Sequence, residues 1–172
     1  MKCSIAKFLI PLALFAAIGV AADTHSLGRQ VRHELVMLPY YSVFDNFAYQ
    51  VDGSTVVLAG QVTRPTLKSG AERVVERVEG VGKVVNKIEV LPLSSSDDQI
   101  RWQVFRAIYQ DSVLSRYAWQ AVPPIHIVVR NGHVTLEGVV NASMEKAVAN
   151  ARANAVAGVF SVVNNLRVES RG

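Results

Sequence analysis

Val56-Val57-Leu58-Ala59-Gly60-Gln61-Val62 returns 78 residues downstream as Val134-Thr135-Leu136-Glu137-Gly138-Val139-Val140, with valine, leucine and glycine in the same places. Both stretches alternate, which is the period of a half-buried strand. The frame continues without a gap. Lys68 falls on Lys146, Ala71 on Ala149, Val78 on Val156 and Gly80-Val81 on Gly158-Val159. Val84-Val85-Asn86 falls on Val162-Val163-Asn164, and Val90 on Val168. Apolar positions coincide by chance between any two βαβ segments. Glycines and an asparagine in one frame mark an internal duplication.

Each copy reads as helix, hairpin, helix, strand. Leu27, Val31 and Leu35 recur every fourth residue after Ser26, a candidate N-cap, and Pro39 ends that helix. Phe47, Tyr49 and Val51 alternate as a strand before Asp52-Gly53, a hairpin signal. A two-residue Asp52-Gly53 turn sets Tyr49 opposite Val56 and Phe47 opposite Leu58, with each arm one residue longer than in the second copy. There Asn131-Gly132 sets Val129 opposite Val134 and Ile127 opposite Leu136. Leu67, Ala71, Val74, Val75 and Val78 form the next helical stripe, which Gly80 stops. Its counterpart runs from about Ala142 to Ala157 and stops at Gly158. Val84–Val90 and Ser161–Val168 are the closing strands. The expected fold is α+β: two tandem αββαβ modules, each a three-stranded mixed sheet with two helices on one face. The other face meets solvent, the sister module or a partner.

Residues 1–22 read as a secretory signal: Lys2 and Lys7, an apolar run from Phe8 to Val20, and small residues at Val20-Ala21-Ala22. A retained anchor is the alternative. Cys3 precedes the apolar run, so it is not placed as a lipidated cysteine, and no other cysteine follows. The expected organisation is a signal at 1–22, modules at 24–92 and 98–170, and a polar linker at 93–97. The formal charge of +4 includes Lys2 and Lys7. Beyond residue 22, 16 basic residues face 14 acidic ones, too even a balance to argue for nucleic acid.

The patterns Val56-x-Leu58-x-Gly60-x-Val62 and Gly80-Val81-x-x-Val84-Val85-Asn86, with their second copies, resemble the BON domain. The resemblance implies an exported bacterial protein, periplasmic or secreted. It implies non-enzymatic binding of phospholipid or membrane surfaces in envelope maintenance or osmotic stress, with no cofactor or metal. It also implies that Gly60, Gly80, Gly138 and Gly158 are structural. A protein-interaction or scaffolding module of the envelope is the alternative.

The residues themselves offer little chemistry. There is no serine in a nucleophile elbow, no glycine-rich phosphate loop and no HExxH pair. His25 and His33 lie two helical turns apart, too far to share a metal unaided. The Asn131-Gly132 turn pairs His126 with Glu137 on the outer sheet face, as a solvated or interface pair or as a pH-sensitive one. On a helix from about Asp98 to Tyr109, Ile100, Val104, Ala107 and Ile108 face the core. Trp102, Phe105, Arg106 and Tyr109 fall largely on the other side, and Arg116, Tyr117 and Trp119 follow. Packing between the modules or under the Val113–Val122 loop accounts for these residues first, and the composition also suits a membrane or protein interface. Tyr41 and Phe44 are expected to close the end of the first core. The first module is then the structural partner and the second the binder.

Overall fold

The computed structural model describes residues 17–169. Most of the expected signal segment, residues 1–16, lies outside the described residues. Helix α1 spans Ala17–Val36 and so runs through the expected cleavage point. Ser26 lies within the helix rather than capping it. Leu27, Val31 and Leu35 are buried, as the four-residue spacing predicts.

Strand β1 (Asn46–Asp52) pairs antiparallel with β2 (Thr55–Val62), and helix α2 (Pro65–Val75) follows. β3 (Lys83–Asn86) and β4 (Glu89–Val90) then lie parallel to β2, one after the other on the same side. The second module repeats this order. It has α3 (Ser95–Tyr109), a 3₁₀ turn (Ser115–Trp119), β5 (Ile125–Arg130), β6 (His133–Val140), α4 (Ser143–Asn154), β7 (Ser161–Asn164) and β8 (Arg167–Val168). The α+β fold of two tandem modules is as expected.

The closing strand differs from expectation, because it is interrupted in both copies. The repeated asparagine is the cause. Asn86 donates through Nδ2 to the Lys68 carbonyl (3.0 Å) and accepts from the Ile88 amide (3.1 Å). Asn164 makes the same bonds to Lys146 (2.9 Å) and Leu166 (3.2 Å). The side chain thus replaces a ladder partner, ties the strand to the helix above it, and turns Ile88 or Leu166 into the core.

The first hairpin also corrects the sequence reading. Asp52 pairs with Thr55, Val51 with Val56, Tyr49 with Leu58 and Phe47 with Gly60. The two-residue loop is Gly53-Ser54, with Gly53 at φ 57°. Glycine first and a negative-φ residue second is the pattern of a type II′ hairpin loop. The second hairpin turns at Asn131-Gly132, as expected, with Val129 opposite Val134 and Ile127 opposite Leu136. The arms therefore match in length, and the 78-residue frame extends through both hairpins.

Gly60 and Gly138 sit at φ 111° and 122°, where a Cβ would collide with the backbone carbonyls of Asn46 and Pro124. Only glycine fits that approach between the hairpin arms. Helices α2 and α4 end at Val75 and Asn154, short of the expected stops, and Gly80 and Gly158, at φ 90° and 86°, close the turns that follow them.

Two cores form, one under each helix pair. Leu58, Val62, Leu67 and Ile88 anchor the first, and Ile108, Ile127, Leu136 and Leu166 the second. Truncating one such buried leucine costs about 2–5 kcal/mol. Val43, which precedes β1, belongs to the second core, and its carbonyl accepts from the Ile127 amide (2.8 Å). The modules therefore share chain as well as surface. Asp97 fixes the second helix to its hairpin: both carboxylate oxygens accept turn amides, from Asn131 and Gly132, at 2.8 Å each. Ser94 caps α3, so Ser95–Asp97, expected in the linker, are helical.

Candidate functional site

A cleft of ≈ 800 Å³ lies between the modules. Tyr40, Tyr41 and Phe44 line it from the segment before β1, Leu93 from the connection, and Trp102 and Phe105 from α3. Phe44 meets Trp102 edge-on at 4.9 Å between centroids, and Trp102 meets Phe105 at 5.7 Å. Edge-to-face packing of this kind adds to the burial of the rings. The walls are built by folding, because Val43 anchors the segment that carries Phe44.

The mouth is aromatic and open. Tyr40 is 71% exposed, Trp102 55% and Leu93 96%. Trp119 is 90% exposed, between the cleft-lining residues Ala118 and Gln120. Tyr40 sits at φ 69°, a left-handed backbone that costs a non-glycine residue about 1–2 kcal/mol. The Arg64 guanidinium lies 4.9 Å over its ring. Among the described residues no carboxylate pairs with Arg64. Asp98, also at the cleft, pairs with the buried Arg101, which in turn donates to the Val129 carbonyl at 2.7 Å.

A family model described as BON domain matches residues 23–92 and again 96–170. The chain belongs to the BON domain family. The family is associated with phospholipid binding and with envelope and osmotic-stress proteins. No curated protein matches this BON chain. Among solved structures, it is similar to CdsD, a structural protein of the type III secretion system of Chlamydia trachomatis. Identity is 16%, with 85% of this chain and 93% of that one covered, at a TM-score of 0.30. A second structure, the C-terminal domain of CdsD, gives 12% identity, 82% and 96% coverage, and a TM-score of 0.28.

The second BON module divides the residues singled out in the sequence into two groups. Trp102, Arg106, Arg116 and Trp119 are exposed, and Phe105 is half-buried against the core. Tyr109 and Tyr117, by contrast, are only 5% and 6% exposed and lie inside. The Tyr109 hydroxyl donates to the Ile125 carbonyl (2.6 Å) and accepts from the Ile125 amide (3.1 Å), satisfying the first residue of β5. Burial pushes its pKa well up from the ordinary tyrosine value. The Tyr117 hydroxyl donates to Glu145 (2.7 Å) and accepts from the Asn141 amide (3.0 Å). Arg116 pairs with the same Glu145, so its charge is met within the protein.

His126 and Glu137 are cross-strand partners, as expected. His126 nevertheless faces the first BON module, stacked on Tyr41. Burial lowers its pKa, against the opposing pull of the Asp45 and Ser42 backbone and the Asp45 and Glu137 carboxylates. Tyr41 itself packs on the first core, as expected, whereas Phe44 packs on the second. Tyr40, Arg64 and Leu93 were not apparent in the sequence as site residues. The aromatic run Pro39-Tyr40-Tyr41 was a signal for Tyr40 alone, and Arg64 and Leu93 had none.

No helix among the described residues is long and apolar enough to cross a membrane.

Proposed function

We propose that the chain is a non-enzymatic binding module of the bacterial periplasm. It associates with phospholipid head groups or membrane surface in envelope maintenance or osmotic-stress response. One observation carries this reading. Tyr40, Leu93 and Trp102, from three segments, are exposed where they line one cleft, and Trp119 is exposed between two further lining residues, Ala118 and Gln120. Monomeric proteins rarely leave such a cluster uncovered without a use for it. Trp and Tyr with nearby arginines is the composition that rests at a membrane–water boundary. Arg64 at the mouth and Arg106, one turn beyond Trp102 on α3, supply the cations for anionic head groups.

Flotation with vesicles of phosphatidylglycerol and phosphatidylethanolamine tests the reading. The protein should float at low salt and float less as salt rises, since exposed charges are screened. Failure to float at any salt concentration rejects it.

A protein-scaffolding role has one observation in its favour. Val163 in β7 and Phe160 just before it are exposed, and β7 lies at an edge of the second sheet, where a partner strand can add. Co-purification of a defined partner without flotation supports that role.

A further inference from the structure

We propose that the inter-module cleft binds one molecule of a single-chain anionic amphiphile, with its apolar chain among the aromatic walls and its carboxylate or phosphate at Arg64. The proposal rests on the reading of the mouth as a lipid-facing surface. It adds a ligand that leaves the bilayer and sits inside the protein.

The volume and position fit. Ligand sites of about 300–1,000 Å³ gather at domain boundaries, apolar in their walls with a few placed polar groups. This cleft has ≈ 800 Å³ and takes walls from both modules. Phe44, Trp102 and Phe105 pack edge-on, so their rings form a continuous apolar wall. A flat head group alone would leave that wall unused.

The charge at the mouth selects the head group. Asp98 is paired with Arg101, which offsets its charge at the cleft. Arg64 has no carboxylate partner among the described residues and is held over the Tyr40 ring at the mouth. A guanidinium stacked on a ring face keeps its edge N–H groups free to donate in pairs to a carboxylate or phosphate.

The test titrates the full chain with sodium dodecanoate below its micelle concentration, by calorimetry. Trp102 emission is read in parallel in the Trp119→Phe variant. Binding should saturate at one dodecanoate per chain. Dodecanol, which lacks the charge, should bind at least about tenfold more weakly, and Arg64→Gln should lose a similar factor for dodecanoate. Ala121→Phe fills the cleft from an exposed wall position. It should abolish saturable dodecanoate binding while vesicle flotation continues. Dodecyl phosphate in place of dodecanoate shows which anionic head is preferred, and saturable binding of either supports the proposal. Unsaturable uptake, equal affinity for dodecanol, or unchanged affinity in Ala121→Phe overturns it. Flotation without saturable binding rejects this proposal alone, whereas saturable binding without flotation rejects the membrane-surface reading alone.

Discussion

Tyr41 of the first module stacks on His126 of the second, with ring centroids 5.7 Å apart and the phenol oxygen 3.5 Å from Nε2. Other contacts cross the same boundary. The Val43 carbonyl accepts from Ile127, and Glu89 pairs with Arg130 at 2.6 Å. The outer face of the second sheet is thus partly covered by the first module, which buries Val128 as well as half-burying His126. The cleft exists because of this docking.

The histidine makes the docking sensitive to acid. Burial holds its pKa below the ordinary value of 6.5, so the folded state prefers the neutral ring. Its contribution is present above the unfolded pKa and is lost as pH falls through that value toward the folded one. Denaturant midpoints of the native chain should therefore drop more than those of His126→Gln between about pH 7.5 and about pH 5. Parallel curves for the two proteins would remove His126 from the account.

Tyr41 gives the opposite limb. Burial first, and the Asp45 carboxylate second, raise its pKa to about 12. The unfolded chain ionises first, so this contribution is present below the ordinary value of 10.0 and is lost as pH rises through the folded one. Tyr41→Phe should be less sensitive than the native chain to alkali above about pH 10. An identical alkaline decline would show that the phenol is not held as described.

Tyr109 separates structural aromatics from exposed ones. Tyr109→Phe removes the hydroxyl that satisfies both polar groups of Ile125, and should lower stability by about 1–3 kcal/mol. Vesicle flotation of the folded variant should be unchanged. A stable variant that no longer floats would put Tyr109 in the binding surface, against its burial.

Much of the fold was legible because the duplication exposes it. Repeated glycines and valines located the strands and helices, but not the helix ends, which fall at Val75 and Asn154 ahead of Gly80 and Gly158. The first hairpin was misread because Asp52-Gly53 is the commoner turn dipeptide. Yet the repeat frame itself sets Gly53-Ser54 on Asn131-Gly132, so the duplication was the better guide. The role of Asn86 and Asn164 was hidden, since a side chain bonded to a helix carbonyl is a tertiary contact with no local pattern. The inward turn of Tyr109 escaped a helical-wheel argument for a similar reason: β5 begins with backbone groups that need a hydroxyl. The cleft was out of reach because it depends on Val43 entering the second core.

The conserved geometry of the hairpins predicts unequal glycines within one chain. Gly138→Ala must move the Pro124 backbone as well as adopt a positive φ, and should cost at least about 2 kcal/mol. Gly53→Ala has open space around it and bears only the left-handed cost of about 1 kcal/mol. Unfolding titrations of the two variants check the order. Equal losses would contradict the close approach at Gly138.

Membrane binding requires the exposed aromatics around the cleft to enter the lipid surface. Tryptophan quenching by phosphatidylglycerol vesicles carrying brominated acyl chains measures this directly, using Trp102→Phe and Trp119→Phe to read each indole alone. Trp119 and Trp102 should both be quenched, Trp119 more strongly because it is the more exposed, and salt should reverse the effect. Emission from both indoles unchanged by the brominated vesicles at low salt would contradict it.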